Sequence, residues 1–314
     1  MSEKRKILIT GVAGFIGSNL ASRLLAEGYE VRGIDNLAYG LRENVPTEVG
    51  FHCLDIRDRR IIPLFDGVDT VFHLAAKNCI ADCQADPVET AEINVSGTVN
   101  VFEAARRAGV RKVIYAESSA LYEGCTVLPT PESEVKPESF YAVSKLASMY
   151  FADAYKTFYD SQFTALRYFC VYGPVQDYRR TIPPVMSAFI IKLLKGERPS
   201  IYGTGEKRRD FIYVDDVNDF HLICIQDDRT NGRTFNIGSG VNYSVKEILD
   251  RVSKILHITP EPVYKDDLPG EAQVTLADIT QAKGLGWEPK TLLEEGLERA
   301  IEYIRGEMKA GKIP

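Results

Sequence analysis

The chain has 314 residues, 45% of them hydrophobic and 26% charged, which is enough apolar mass for one large domain or two of ordinary size. Acidic side chains outnumber basic ones 44 to 38, the formal net charge is −6 and no basic stripe stands out, so nucleic acid is not expected as a partner. No apolar run approaches the ~20 residues of a membrane span, and the apolar stretch ahead of Gly11 is too short for a signal peptide, so a cytoplasmic protein with no membrane partner is expected.

The first element is the apolar run Lys6–Thr10, followed by Gly11, Gly14 and Gly17 at three-residue spacing and then Ile16, Leu20 and Leu24 at helical spacing. This predicts strand, glycine turn and helix, with Gly28 as the stop. Gly11 and Gly14 let backbone N–H groups approach a pyrophosphate whose charge the helix N-terminus stabilises, and Gly17 lets helix and strand pack closely. The second strand, Glu30–Asp35, ends in a carboxylate. A carboxylate there accepts bonds from the adenosine ribose hydroxyls and repels a 2′-phosphate, which favours NAD over NADP even with Arg32 and Arg42 nearby.

Strands are also predicted over 50–54, 69–74, 112–116 and 163–169, with helical patterns between the later ones. That alternation means an α/β fold, a Rossmann doubly wound parallel sheet, whose ligands lie at the carboxyl ends of the strands. Asp55 and Ile56 end the third strand, where adenine is expected; Leu74, Ala75 and Ala76 follow His73 at the end of the fourth, where small residues let a cofactor lie close. His73 is expected to be packed or hydrogen-bonded, and Asn94, early in the next helical segment, needs buried partners. The fifth strand ends in Glu117-Ser118-Ser119, and the helix after it carries Tyr141 and Lys145 at i and i+4, hence on one face. A nearby ammonium favours a phenolate, so Tyr141 beside Lys145 is a candidate acid/base, with the Ser118 hydroxyl in the same pocket.

After Val171-Tyr-Gly-Pro174 the alternation stops. Domains of 1–174 and 175–314 are expected, the segment near 211–239 returning to the first, and the second forming a smaller α/β lobe. Val185–Leu194 reads as a helix, while Ser244-x-x-Glu247 and Thr291-x-x-Glu294 read as capping boxes opening two more. The six cysteines are scattered; Cys79 and Cys83 have no second pair and no His at ligand spacing, so reduced thiols and no metal site are expected.

These motifs, together with Leu166-Arg-Tyr-Phe169 and Arg209-Asp-Phe-Ile-Tyr-Val-Asp-Asp216, resemble over nearly the whole chain the extended short-chain dehydrogenase/reductases, closest to nucleotide-sugar epimerases of the UDP-galactose (UDP-glucose) 4-epimerase type. The resemblance implies that Tyr141 takes the proton of a sugar 4-hydroxyl while C4 passes hydride to NAD, that Ser118 bonds the reacting oxygen, and that Lys145 holds the nicotinamide ribose. It adds Phe15, Ile16, Asn36, Asn94 and Tyr168 to the cofactor contacts, and assigns Ser119, Cys170, Arg179, Tyr202 and Arg209 to the substrate, with Arg209 on the diphosphate. The substrate implied is a UDP-hexose. A homodimer is implied too, packed through the Tyr141 helix and the one after Pro87, with Val101, Leu146 and Tyr150 as candidate contacts. Two positions depart from the family: Cys170 stands where Asn is usual, and Leu268 where Arg often precedes Pro269-Gly270; Arg179 and Arg180 could compensate.

Three readings follow: a C4-epimerase, a 4-reductase or dehydratase on the same scaffold, and a non-catalytic NAD-binding sensor. Ser119-Ala120 after Ser118 is not the acid pair a dehydratase needs, Asp35 opposes an NADP-using reductase, and a sensor need not keep all of Ser118, Tyr141 and Lys145. Because Asp35 faces the ribose, the purified protein should bind NAD in clear preference to NADP; equal affinities in a titration would contradict the assignment.

Overall fold

The computed structural model describes residues 5–180, 182–267 and 272–313. Its strands are β1 (Lys6–Thr10), β2 (Glu30–Asp35), β3 (Gly50–Cys53), β4 (Thr70–His73), β5 (Lys112–Ser118), β6 (Phe163–Tyr168), β7 (Cys170–Tyr172), β8 (Ser200–Tyr202), β9 (Arg208–Tyr213), β10 (Arg233–Ile237), β11 (Asn242–Ser244) and β12 (Val263–Lys265). Seven of them form one sheet in the order β10-β6-β5-β4-β1-β2-β3, every neighbouring pair parallel. Strand order reverses between β1 and β4, so the loops after those strands diverge and leave a crevice at the carboxyl edge.

The helices are α1 (Phe15–Ala26), α2 (Ile80–Ala85), α3 (Pro87–Ala91), α4 (Thr98–Arg107), α5 (Phe140–Tyr159), α6 (Val185–Leu194), α7 (Val214–Gln226), α8 (Val245–Leu256), α9 (Thr280–Lys283) and α10 (Leu293–Lys309). Alternate residues of a strand face opposite sides, and this sorts the sheet into two cores. Ile7, Ile9, Phe72 and Ile114 pack with Leu20 and Leu24 of α1 and Val217 and Phe220 of α7. Leu8, Val71, Val113 and Tyr115 pack on the other side with Phe102 of α4 and Ala152 and Tyr155 of α5. A third core joins α6, α8 and α10 to β9 in the second lobe, whose short strands pair as β11-β9-β7 and β12-β8. These three- to six-residue strands carry too little alternation to be distinguished in the sequence from loops. Among the described residues no helix is long and apolar enough to cross a membrane.

Two expectations change. Thr291 caps no helix: Leu292 is the N-cap of α10, and the backbone N–H groups of Lys290 and Thr291 donate instead to the buried Asp216 carboxylate. Ser244 and Glu247 do form the reciprocal capping box at α8. Val101 is wholly buried in the sheet core and cannot be a surface contact, whereas Tyr150 is 63% exposed. Leu146 is partly buried against the α1-side core.

Candidate active site

The chain reverses after β1 through Gly11, whose φ of +77° is open to glycine without strain. Gly17 is required for a different reason: a Cβ there would lie 2.1 Å from the Gly11 carbonyl oxygen, so α1 can pack against its own turn only without a side chain. Gly14 is the N-cap of α1, no side chain caps that end and no acidic residue lies in its first turn. The first N–H groups of α1 therefore open toward solvent at the sheet's carboxyl edge, which is the chemistry an anionic pyrophosphate needs. Asp35 is 9% exposed, and its carboxylate accepts from the N–H groups of Ala13 (3.0 Å) and Leu37 (2.8 Å), which fix its direction and leave lone pairs for ribose hydroxyls. Burial pushes its pKa up while these two N–H groups pull it back.

A cavity of about 480 Å³ runs along this edge. Its wall contains Gly11, Gly14, Phe15, Ile16, Gly17, Asp35, Asn36, Asp55, Ile56, Leu74, Ala75, Ala76 and Tyr168 from the expected cofactor contacts, and Ser118, Ser119, Tyr141, Lys145, Cys170 and Arg209 from the reactive and substrate set. Asp55 accepts from Asn36 and Arg57, and the Arg57 side chain first of all holds its carboxyl down at about 2.

Ser118 is the last residue of β5 and the register partner of Tyr168 on β6. Its Oγ accepts from Ala120 N at 3.2 Å, capping a short 3₁₀ turn. Tyr141 is the second residue of α5, whose N-cap Ser139 accepts from Ala142 N and is itself held by Glu123. Burial lifts the Tyr141 phenol to about 12, while the Ser118 hydroxyl and the Arg180 guanidinium pull it down. Lys145 is 4% exposed, and its Nζ donates to the Ala116 carbonyl at 3.0 Å. Burial draws its pKa down to about 8, opposed by Glu117. The cation acting on the phenol is thus Arg180, and in this state Lys145 points at the strand, contrary to the simple pairing expected from the i, i+4 spacing.

Three expected contacts lie outside the cavity wall. Asn94 is 1% exposed in a π-helical turn, Glu92–Gly97; its amide accepts from Lys77 N and donates to Lys77 O and Ser144 Oγ at 2.8–2.9 Å. It pins the loop after β4 onto α5, with both amide N–H groups spent on protein acceptors. Arg179 donates to Asp177 and to the Tyr39 carbonyl, tying the segment after β7 across to the loop after β2. Tyr202 is the cross-strand partner of Lys265, whose ammonium sits 5.6 Å above its ring in the second lobe. Leu268 lies outside the described residues. His73 sits between the hydroxyls of Thr10 and Thr98 at 2.8 and 2.9 Å, and burial depresses its pKa to about 3, so it is neutral and structural.

The wall also holds residues the sequence reading did not single out: Tyr39, Lys77, Glu117 and Glu123. Lys77, immediately after the small residues that end β4, pairs with Glu89 at 2.5 Å. A cation following that apolar run was a usable signal; nothing local marked the two glutamates.

Residues 7–238 match the profile of the NAD dependent epimerase/dehydratase family, and the chain belongs to that family, with NAD as its cofactor. It is 35% identical to the UDP-glucose 4-epimerase of Mycolicibacterium smegmatis, over 96% of this chain and 98% of that protein. The structure of UDP-glucose 4-epimerase from Thermotoga maritima with UDP-glucose is similar with a TM-score of 0.93 at 36% identity, covering 96% of this chain and 99% of that one. UDP-N-acetylglucosamine 4-epimerase from Methanobrevibacter ruminantium, in complex with UDP-N-acetylmuramic acid, is similar with a TM-score of 0.93 at 30% identity, covering 98% and 100%.

The glycine turn yields a direct test. Gly17→Ala forces Gly11 to move and is expected to strain the fold by about 1–3 kcal/mol, lowering both Tm and NAD affinity. Gly306→Ala, with no atom within 4 Å of the added methyl, should leave both unchanged or raise Tm slightly. Differential scanning fluorimetry with and without NAD separates the two.

Proposed function

We propose that the protein interconverts the C4 epimers of a UDP-hexose of the UDP-glucose/UDP-galactose kind through a transient 4-keto sugar. The observation that carries this reading is the Ser118 hydroxyl and the Tyr141 phenol on one cavity wall, the phenol one helical turn from Lys145, with the open N-terminus of α1 on the same wall. In this reading the glycine turn and α1 hold the pyrophosphate of NAD, Asp35 the adenosine ribose and Lys145 the nicotinamide ribose. When bound, NAD would supply a reversible hydride acceptor.

The chain's own groups then handle the proton. Tyr141 accepts the proton of the 4-hydroxyl as C4 is oxidised, and returns it to the same oxygen after the keto sugar has turned and been reduced on its other face. Ser118 bonds the reacting oxygen and keeps it within reach of the phenol. A phenol at about 12 is a donor at neutral pH, so its use as a base depends on cations nearby: Arg180 acts on it already, and Lys145 joins when its Nζ leaves the Ala116 carbonyl. Arg209 and Arg180, on the cavity wall toward the second lobe, are assigned to the diphosphate. Ser119-Ala120 offers no acid pair for dehydration.

We also propose a homodimer through α5 and α3. Phe140, Val143, Tyr150 and Phe158 recur along α5 at spacings of three, seven and eight residues and are 53%, 51%, 63% and 78% exposed, with Val88 of α3 at 70%. An apolar stripe of this kind on a helix marks an interaction surface. Light scattering at micromolar concentration should give twice the chain mass, and Tyr150→Glu with Phe158→Glu should halve it; a wild-type monomer removes the proposal.

Incubation with a panel of UDP-sugars, read by NMR, tests the reaction and identifies the sugar. Tyr141→Phe keeps the ring but loses the exchanging proton, so it should stay folded, bind NAD and lose activity by about 10²–10⁴-fold. Hydrogen at C4 should not exchange with solvent deuterium. Deuterium incorporation at C4, or a Tyr141→Phe variant of near-normal rate, would overturn the mechanism.

A further inference from the structure

We infer that Glu117 is a positioning residue for the proposed reaction: its buried carboxylate is the counter-charge that keeps Lys145 an ammonium in the cavity wall. The inference rests on the role assigned above to Lys145 and deepens it.

Glu117 sits on β5 between Ala116 and Ser118, 2% exposed, and borders the cavity. An isolated carboxylate in such a place would be costly. Here Oε2 accepts from Arg167 Nε at 2.7 Å and Oε1 from the Tyr115 hydroxyl at 3.2 Å. Burial comes first and leaves the Glu117 carboxyl above its ordinary range, while the Arg167 guanidinium and then the Tyr115 phenol hold it down; the direct ion pair with Arg167 favours the carboxylate form. Lys145 reaches the same stretch of β5, its Nζ donating to the carbonyl of the residue just before Glu117. One carboxylate therefore stands against two buried cations, Arg167 by direct contact and Lys145 through space.

The other groups facing Lys145 do not supply that charge. His73 at the end of β4 is neutral between two threonine hydroxyls. Ser118 on β5 and Tyr141 on the lysine's own helix are neutral hydroxyls at this pH. Cys83 on α2 is a buried thiol whose pKa burial raises, which leaves it protonated. Burial alone pulls Lys145 toward the free amine, and Glu117 opposes it. At about 8 the ammonium survives at neutral pH; removing the carboxylate leaves burial unopposed by it and lowers the value further.

The experiment is a pH titration of the full chain carrying ¹³Cε-labelled lysine, with the Lys145 signal assigned by Lys145→Arg. In Glu117→Gln the Lys145 pKa is expected to fall by about one unit or more, and the alkaline limb of kcat/KM with UDP-glucose should move to lower pH by the same amount. Glu117→Asp, which keeps the charge, should restore most of both. If Glu117→Gln is unfolded by thermal melting because Arg167 is left unpaired, Glu117→Gln/Arg167→Met removes both charges and should still lower the Lys145 pKa. A folded variant with an unchanged Lys145 pKa overturns the inference, whatever its rate. The titration needs no substrate, so the two readings fail separately: a shifted lysine in a protein inactive on every UDP-sugar removes the reaction and leaves the counter-charge.

Discussion

Glu117 and Arg167 are register partners on adjacent parallel strands, 2.7 Å apart and almost wholly out of water. Breaking such a pair from one side costs about 3–5 kcal/mol, because the remaining charge stays buried. The pair does more than hold β5 to β6. Arg167 also donates to the Tyr122 hydroxyl at 2.9 Å and to the Glu132 carbonyl at 2.6 Å. Tyr122 passes the connection to Asn236 on β10 at 2.6 Å, and the amide of Asn236 donates to the carbonyls of Thr130 and Asp278. One guanidinium thus fixes the strand that ends in Ser118, the strand that ends in Tyr168, and the connection leading from β5 to Tyr141.

The same withdrawal from water works in opposite directions on the two groups at the centre. It disfavours both charged forms, raising the phenol of Tyr141 and lowering the ammonium of Lys145. Neither group is poised for proton transfer by helix spacing alone. Charges from elsewhere in the chain oppose that burial: Arg180, from the segment after β7, at the phenol and Glu117, from β5, at the ammonium. Arg179, next to Arg180, bonds the Tyr39 carbonyl, so the segment that brings this cation is anchored across the cavity to the loop after β2.

Local pattern was informative wherever a local cause operates. The glycine spacing, the carboxylate ending β2, the Ser244 capping box and the i, i+4 placement of Tyr141 and Lys145 each reflect neighbours within a turn or two. Asn94, Arg179 and Tyr202 illustrate the opposite. Each has a chemistry suited to a ligand, yet each is engaged by protein groups from 17 (Asn94 to Lys77) to 140 (Arg179 to Tyr39) positions away, or by a cross-strand partner in Tyr202, and lies outside the cavity wall. Residue type alone cannot distinguish a side chain that faces a cavity from one that latches two loops together behind it.

The sequence by itself determined the parallel sheet, the glycine turn that opens α1 and the helix face that carries phenol and ammonium, because apolar periodicity and glycine stereochemistry act over short stretches of chain. Only the tertiary structure decided which charges meet. Glu117 finds Arg167 fifty residues on, Asp216 rather than Thr291 receives the N–H groups ahead of α10, and Val101 goes to the core while Tyr150 stays outside. Electrostatic contacts in a low-dielectric interior depend on distances of a few ångströms between side chains remote in sequence, and no local periodicity encodes those distances.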